Sequence, residues 1–165
     1  MIRTACLALA AFLVGCGEES ASDRQASAGA ELEAAAIDAG LVPDPARASL
    51  VGSWARGSDR MCIVSGEGGR DRVGVLLVYG PGNGCVGSGT AQRHGERLDL
   101  RLGECRIGGR FDGERIVFPA EVDRSCARLC AGNASLAALS VERVSASAAE
   151  AATLRAPSGR LLCAG

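Results

Sequence analysis

The stretch Arg97-Leu98-Asp99-Leu100-Arg101-Leu102 alternates charged and apolar side chains without a break. A period of two places every second side chain on the same face of a β-strand, so this stretch predicts a strand with one buried face. The alternation continues through residues 105–111 and appears again at Ile116 and Phe118. These residues predict an antiparallel sheet, and the fold class follows from them.

Three candidate two-residue turns separate the alternating segments at intervals of nine residues: His94-Gly95, Gly103-Glu104 and Asp112-Gly113. Asp-Gly is typical of type I′ hairpin turns, and glycine in the first position is typical of type II′ turns. The resulting register pairs Leu102 with Cys105, Ala91 with Leu98, and Gly109 with Ile116. The apolar side chains then share one face, which a slip of one residue would not allow. We predict a four-stranded meander over residues 86–120.

Shorter patterns on both sides of the meander complete the predicted domain. Residues 61–65 and 73–79 are apolar runs around a glycine-rich turn, which predicts a further hairpin. Asp123 precedes a predicted helical turn, residues 147–150 match a capping box, and residues 160–164 are expected to form a last strand. The predicted fold class is mainly β, a small disulfide-braced antiparallel β-meander or barrel with one or two short helices.

Composition excludes one class of partner. The chain has 165 residues, of which 47% are hydrophobic and 3% aromatic, and its formal net charge is −1. Non-specific binding of nucleic acid needs a basic excess to neutralise phosphates, so we expect no nucleic-acid partner. All 18 basic residues are arginine, as is typical of a GC-rich genome, so the number of arginines is by itself weak evidence of function.

The N-terminus has the pattern of an export signal. Arg3 precedes ten apolar residues, 5–14, which are too few for a membrane-spanning helix of ~20 residues. The run ends in Leu13-Val14-Gly15-Cys16, which resembles the lipobox of bacterial lipoproteins, the substrates of signal peptidase II. The resemblance implies that residues 1–15 are a signal peptide and that Cys16 is the lipidation site, carrying acyl chains such as palmitate.

The lipobox resemblance also implies a location. Two or three acyl chains hold a protein on a membrane where one would not, so the membrane is the expected first partner. Gly17 rather than Asp follows the lipidated residue, which in enteric-type sorting indicates the outer membrane, facing the periplasm. Residues 16–49 are predicted to be the lipidated cysteine and a flexible tether with a short helix at 30–39, and residues 50–165 the folded domain.

The cysteines divide into three groups. Of the eight, Cys6 would leave with the signal peptide and Cys16 would carry lipid. Six remain for disulfides: Cys62, Cys85, Cys105, Cys126, Cys130 and Cys163. An even number in an exported domain predicts a disulfide framework, here three bridges with fifteen connectivities. The meander places Cys85 and Cys105 at the same end, which favours that pair, and Cys163 is expected to pair with Cys62, Cys126 or Cys130.

Motifs for catalysis or cofactor binding are weak. Residues 82–87 match G-x-G-x-x-G, but residues 88–92 predict a strand and not the helix that a dinucleotide site needs. Cys126 and Cys130 have C-x-x-x-C spacing, which fits structural disulfides better than a redox pair or a zinc site. His94 is expected at an exposed hairpin tip. We therefore expect no cofactor, no metal ion and no catalytic residue.

Five arginines share the outward face of the meander: Arg97, Arg101, Arg106, Arg110 and Arg115. The predicted register places Arg97 opposite Arg110, Arg110 opposite Arg115, and Arg101 opposite Arg106, although like charges in opposed positions are unfavourable. One interpretation is an anion-binding face for a phosphate-bearing glycolipid, an acidic wall polymer or a carboxylate-rich protein. The other is an ordinary solvent-exposed face, whose basic residues are arginine because the genome is GC-rich.

Gly52-Ser53-Trp54 opens the predicted domain. A G-x-W at the first strand resembles the start of small lipocalin-like barrels, and it is similar to periplasmic inhibitor barrels that block lysozyme or secreted metalloproteases. The resemblance implies a small antiparallel barrel with a protein target and no catalysis. The alternative for Trp54 is a core residue that closes one end of the sheet.

Three hypotheses about function remain open. The first is a membrane-anchored, non-enzymatic binding or inhibitor module that acts on an envelope protein or an anionic envelope polymer. The second is an envelope hydrolase that uses an acidic pair drawn from the carboxylates of the meander: Asp99, Glu104, Asp112 and Glu114. The third is a purely structural envelope protein.

Overall fold

The computed structural model describes residues 21–163. The chain divides into two compact units, Met1–Val42 and Pro43–Gly165. The predicted signal peptide, residues 1–15 with Cys6, and the predicted lipidation site Cys16 lie outside the described residues.

Helix α1, Ala21–Asp38, belongs to the first unit. It is longer than the helix predicted over residues 30–39, because Ala, Glu, Gln, Arg and Leu, which favour helices, make up most of the segment. Gly40 follows its end with a φ of 68°, the left-handed conformation that closes many helices. Between residues 21 and 163, no helix has both the length and the hydropathy that crossing a membrane requires.

The second unit is a closed antiparallel barrel of eight strands, which confirms the predicted fold class. Its described residues contain nine strands: β1 Gly52–Arg56, β2 Asp59–Val64, β3 Asp71–Gly80, β4 Asn83–His94, β5 Arg97–Leu102, β6 Cys105–Phe111, β7 Arg115–Val117, β8 Cys130–Ala131 and β9 Ser140–Ser145. Strands β1 to β7 are neighbours in chain order, and β9 closes the barrel between β7 and β1. The short β8 pairs with the start of β4.

The predicted meander is present, and its register is correct at one of three turns. Leu102 lies opposite Cys105 as predicted. Ala91 lies opposite Leu100 and not Leu98, because the turn between β4 and β5 is Gly95-Glu96, with Gly95 at a φ of 63°. A shift of two residues keeps every side chain on its predicted face, so the inward and outward sets are unchanged.

The turn between β6 and β7 is wider than predicted. Phe111 lies opposite Ile116, and the predicted pairing of Gly109 with Ile116 is wrong. The Asp112 carboxylate accepts hydrogen bonds from the backbone N–H groups of Glu114 (3.0 Å) and Arg115 (2.7 Å), which holds the chain in a wider loop. This type of turn is common for Asp, because its side chain mimics a backbone acceptor.

Inward-facing side chains fill the barrel, and both of its ends are covered. We call the end where residues 43–51 join the barrel the entry end and the opposite end the far end. At the entry end Leu50 is buried, and Trp54 donates from Nε1 to the Leu50 carbonyl at 3.1 Å. At the far end the connection between β7 and β9 packs Leu136 and Leu139 into the same core.

Three disulfides brace this barrel: Cys62–Cys163, Cys85–Cys130 and Cys105–Cys126. The predicted pair Cys85–Cys105 is wrong. The two residues lie on β4 and β6 with β5 between them, and two strand spacings of ~4.8 Å exceed the ~4.4–6.8 Å between Cα atoms that a disulfide requires. The far-end connection instead supplies a partner to each. Cys163 pairs with Cys62, one of the three expected partners.

Both predicted helical turns are present, but the predicted last strand is not. Asp123 caps a 3-10 helix, Arg124–Leu129, by accepting from Ser125 N at 2.8 Å. Ser147 caps helix α2, Ala148–Ala151, by accepting from Glu150 N. Residues 160–163 form only an isolated bridge, because they cover a second apolar cluster on the outer side of β2 instead of joining the sheet.

Candidate anion-binding site

The outward side of β4, β5 and β6 carries four of the five predicted arginines, and we call it the arginine face: Arg97, Arg101, Arg106 and Arg110. Arg97 lies opposite Arg110, and Arg101 lies opposite Arg106, as predicted. Arg115 does not join them. It lies opposite Glu142, and Arg110 lies opposite Val117, so the predicted contact between Arg110 and Arg115 is wrong because of the wider turn.

Acidic partners divide the five arginines into two groups. Arg97 Nε lies 3.0 Å from Asp99 Oδ1, Arg110 Nη2 lies 2.9 Å from Glu96 Oε2, and Arg115 Nη2 lies 2.9 Å from Glu142 Oε1. Arg101 and Arg106 form no ion pair with any carboxylate in residues 21–163. The two positively charged side chains that directly oppose each other across β5 and β6 therefore have no ion-pair partner.

The opposed pair is also close. Gly103 and Glu104 form the two-residue turn, and Leu102 and Cys105 flank it. In such a hairpin the flanking residues are the hydrogen-bonded pair, so the next pair, Arg101 and Arg106, is the non-hydrogen-bonded type with Cα atoms ~4.5 Å apart. Like charges in this position destabilise a sheet.

A hollow of about 490 Å³ opens beside this pair on the outer surface of the barrel. We call it the outer hollow. Its polar lining comes from β4, β5, β6 and the turn before β3: Arg70, Thr90, Gln92, Arg97, Asp99, Arg101 and Arg106. Thr90 lies opposite Arg101, and Gln92 lies opposite Asp99, so two neighbouring rows of side chains meet in it.

Gly108 forms part of the outer hollow because it has no side chain. It lies opposite Asp99, in the row next to Arg106. A Cβ atom added there would meet nothing within 4 Å, so the space above it is open. Glycine in a strand interior weakens the strand and often marks a site where a ligand approaches the backbone.

One further carboxylate bears on the arginine pair. Hydrogen bonds from Ser125 hold the pKa of Asp123 below its usual value, and the charges of Arg106 and Arg124 lower that pKa further. Asp123 is tied to Ser125 as the helix cap and makes no ion pair with Arg106. Its field reduces the positive potential at Arg106 and has less effect at Arg101.

Two other arginines face the barrel interior at the entry end. The Arg93 guanidinium lies 4.7 Å from the centre of the Phe111 ring, and that of Arg143 lies 4.2 Å from the centre of the Trp54 ring. Arg93 donates to the carbonyls of residues 45 and 48. Burial lowers the pKa of Arg143, and the charge of Glu114 partly offsets that shift. These arginines close the barrel and are not accessible as ligand sites.

The carboxylates of the hydrolase hypothesis have separate contacts. Asp99 and Glu104 each pair with an arginine, and Asp112 accepts from the backbone of its own turn. Burial raises the carboxyl pKa of Asp59 and of Asp71, which begin β2 and β3 at opposite ends of the barrel. Residues 21–163 contain no cluster of His, Cys, Asp and Glu that would hold a metal ion.

The sequence patterns did not indicate three residues of the outer hollow. Thr90 and Gln92 alternate with Gly89 and Ala91, so the predicted strand already places both on the outward face, but no motif singles them out. Arg70 lies in the turn between β2 and β3, which is distant along the chain, and no local pattern connects it to β5. The pairing of β3 with β4, in which Asp71 lies opposite Ala91, brings that turn to the outer hollow.

Comparison of the chain with protein families, with curated proteins and with solved structures found no match. The charge distribution gives independent evidence on the class of ligand. Residues 43–165 contain 16 arginines against 13 Asp and Glu residues, a net charge of +3, although the whole chain carries −1. The unit with the outer hollow therefore attracts anions.

Proposed function

We propose that this chain is a lipoprotein of the bacterial cell envelope, anchored through Cys16 in the outer membrane and facing the periplasm. Its barrel is a non-enzymatic binding module that captures anionic envelope ligands on the arginine face. The proposal of an anchor is supported by the charge, the apolar length and the Leu13-Val14-Gly15-Cys16 motif of the N-terminus. The three disulfides agree with an oxidising compartment outside the cytoplasm.

One observation carries the proposal of a binding module. Arg101 and Arg106 oppose each other at short range without an acidic partner, whereas Arg97 and Arg110 of the same face each have one. A codon bias toward arginine would not separate compensated from uncompensated pairs in this way. The covered barrel ends and the filled interior agree with a ligand site on the outer surface.

Binding is tested by retention of the detergent-solubilised full chain on phosphocellulose, with the salt concentration at elution as the readout. The double variant Arg101→Gln/Arg106→Gln is expected to elute at lower salt than the wild type. The matched control is Arg47→Gln/Arg115→Gln, which removes the same charge from two ion-paired arginines outside the arginine face and is expected to elute close to the wild type. Equal shifts for both variants would mean that only net charge matters, and the binding proposal would fail.

The anchor is tested separately. Cells that express the wild-type chain are expected to incorporate radiolabelled palmitate into it, and cells that express Cys16→Ser are not. Fractionation should place the labelled protein with the outer membrane. Labelling of the Cys16→Ser variant to the wild-type level would contradict the proposed anchor. It would not bear on the proposed binding module.

A further inference from the structure

The outer hollow combines three chemical features, and together they indicate one class of ligand. Arg101 and Arg106 offer two guanidinium groups in one row, Asp99 offers a carboxylate in the next row, and Gly108 opposite Asp99 leaves open space in that second row. A ligand that fits places an anion against the arginine pair and hydrogen-bonding groups against Asp99, whose charge is already paired with that of Arg97. An uncharged ligand would leave the arginine pair without a counter-charge.

The anionic end of the ligand is best a phosphate group. A phosphate has enough oxygen atoms to accept from both guanidinium groups at once, and bidentate contacts to arginine are among the strongest charge-assisted hydrogen bonds. Thr90 lies opposite Arg101 in the same row and places a hydroxyl group on the same side of the hollow. Arg70 also lines the hollow, next to Asp71, which lies opposite Ala91 on β4.

The other end of the ligand must be uncharged and rich in hydroxyl groups. Asp99 is a hydrogen-bond acceptor, and the Gln92 amide opposite it both donates and accepts. One Asp99 oxygen is engaged by Arg97, and the other lies 3.9 Å from His94 Nε2, beyond hydrogen-bond range, so it has capacity for a further donor. Sugar hydroxyl groups both donate and accept, which matches this pair.

The size of the hollow agrees with such a ligand. Its volume of about 490 Å³ lies within the range of ~300–1,000 Å³ that is typical of small-molecule sites. The bare backbone at Gly108, in the row between Arg106 and Arg110, leaves a flat surface against which a sugar ring can lie.

We propose that the outer hollow binds a phosphorylated sugar, an inference that rests on the proposed function. The phosphate is held between Arg101 and Arg106. The sugar ring lies over Gly108, beside Gln92 and Asp99. The same chemistry occurs in a soluble sugar phosphate and in the phosphorylated sugar headgroup of a lipid.

The test is calorimetric titration of the detergent-solubilised full chain with glucose-6-phosphate, inorganic phosphate and glucose. Glucose-6-phosphate is expected to bind most tightly, because only it uses both sides of the hollow. Arg101→Gln/Arg106→Gln is expected to weaken glucose-6-phosphate binding by at least about tenfold, the value of one charge-assisted hydrogen bond. Arg47→Gln/Arg115→Gln, which removes two ion-paired arginines outside the arginine face, is expected to leave it unchanged.

A variant that leaves the net charge unchanged tests the contact with the sugar ring separately from the contact with the phosphate. Gly108→Val adds a side chain where nothing lies within 4 Å, and a β-branched residue suits a strand, so the fold should tolerate it. It is expected to weaken glucose-6-phosphate binding and to leave inorganic phosphate binding unchanged. Equal effects on both probes, or no effect on either, would overturn the assignment of the sugar ring to Gly108.

The source of the sugar phosphate is distinguished with short-chain phosphatidylinositol 4-phosphate below its micelle concentration. Binding tighter than that of glucose-6-phosphate would assign a lipid headgroup, and weaker binding would assign a soluble ligand. If the wild type binds glucose-6-phosphate no more tightly than inorganic phosphate, the further inference fails. The proposed function would then still stand, provided that phosphocellulose retention depends on Arg101 and Arg106.

Discussion

The Arg143 guanidinium lies 4.2 Å from the centre of the Trp54 ring, and the two residues are opposite each other on β9 and β1. Arg143 also donates to the carbonyls of Val51 and Gly113 at 3.2 Å each, and to that of Ser49. One half-buried side chain thus joins the incoming chain, the first strand and the turn between β6 and β7.

Arg143→Met should therefore cost about 2–4 kcal/mol of unfolding free energy. Three backbone carbonyls lose a charged donor, and the cation–π contact is lost, while the aliphatic packing is largely retained. Urea unfolding followed by Trp54 fluorescence measures this loss. Arg155→Met is the control, because Arg155 is exposed and donates only to the Gly159 carbonyl, so a change within about 0.5 kcal/mol is expected. Similar losses for both variants would contradict the role given to Arg143.

The disulfides should differ in their contribution to stability. Cys62–Cys163 closes a sequence separation of 101 residues and Cys105–Cys126 one of 21. If a disulfide acts mainly on the entropy of the unfolded chain, replacing the first pair by serine costs about 1.4 kcal/mol more than replacing the second. Thermal or urea unfolding of the two double variants decides the order. A larger loss for Cys105→Ser/Cys126→Ser would show that the far-end connection depends on its bridge for native packing.

Removing the like-charge contact should stabilise the barrel. Arg101→Glu places a carboxylate opposite Arg106, which is expected to raise the unfolding free energy by about 0.2–1 kcal/mol at low salt. Arg115→Glu is the matched control, since it faces Glu142 and replaces an ion pair by a repulsive one, so stability should fall by a similar amount. Both effects should shrink as salt is added. A loss of stability in Arg101→Glu would show that the wild-type pair is not repulsive.

The change in stability caused by Asp59→Asn should depend on pH. Burial raises the pKa of Asp59 above its ordinary value of 3.8, although the backbone of Val78 and the charges of Arg60 and Arg56 oppose the shift. A carboxyl group whose pKa is higher in the folded state than in the unfolded state destabilises the fold at a pH where it is ionised. This destabilisation is absent when the pH lies below the unfolded-state pKa. In addition, its Oδ1 atom is buried without a hydrogen-bond partner in the described part of the chain.

Asp59→Asn should therefore raise the Tm at about neutral pH, and the gain should disappear as the pH falls through the folded-state pKa of Asp59 toward the unfolded-state value. Melting curves of both proteins across this pH range measure the difference. Glu67→Gln in the exposed turn between β2 and β3 removes the same charge and serves as the control. A gain that persists in acid would show that hydrogen bonding of the amide, and not the charge, is responsible.

Two glycines of the meander, one on β4 and one on β6, should respond differently to alanine. A Cβ atom at Gly89 would lie 1.8 Å from the Arg101 carbonyl oxygen, whereas one at Gly108 would meet nothing within 4 Å. Gly89→Ala is expected to cost at least about 1–3 kcal/mol through overpacking. Gly108→Ala is expected to be neutral or to stabilise by about 0.5–1 kcal/mol. Denaturant unfolding of both variants measures the contrast, and a severe loss for Gly108→Ala would contradict the open space assigned to it.

Local patterns predicted the strands well and their exact pairing less well. The alternation in residues 97–102 placed Arg101 and Arg106 on the correct face, and the turn Gly103-Glu104 set their register. Where the turn was misplaced, at Gly95-Glu96 and after Phe111, the error was two residues. A shift of two preserves the face of each side chain, so the fold class was predicted correctly in spite of it.

The sequence by itself determined the antiparallel meander, the helix caps and the set of six bridging cysteines, because these depend on period, turn chemistry and cysteine number over short distances. Only the tertiary structure decided which cysteines pair, which arginines have acidic partners and which side chains line the outer hollow. Each of those depends on segments far apart in the chain, such as the turn with Arg70 and the far-end connection with Cys126 and Cys130. No local pattern encodes such distances. They are set by pairings between distant segments, such as β3 with β4 and β8 with β4.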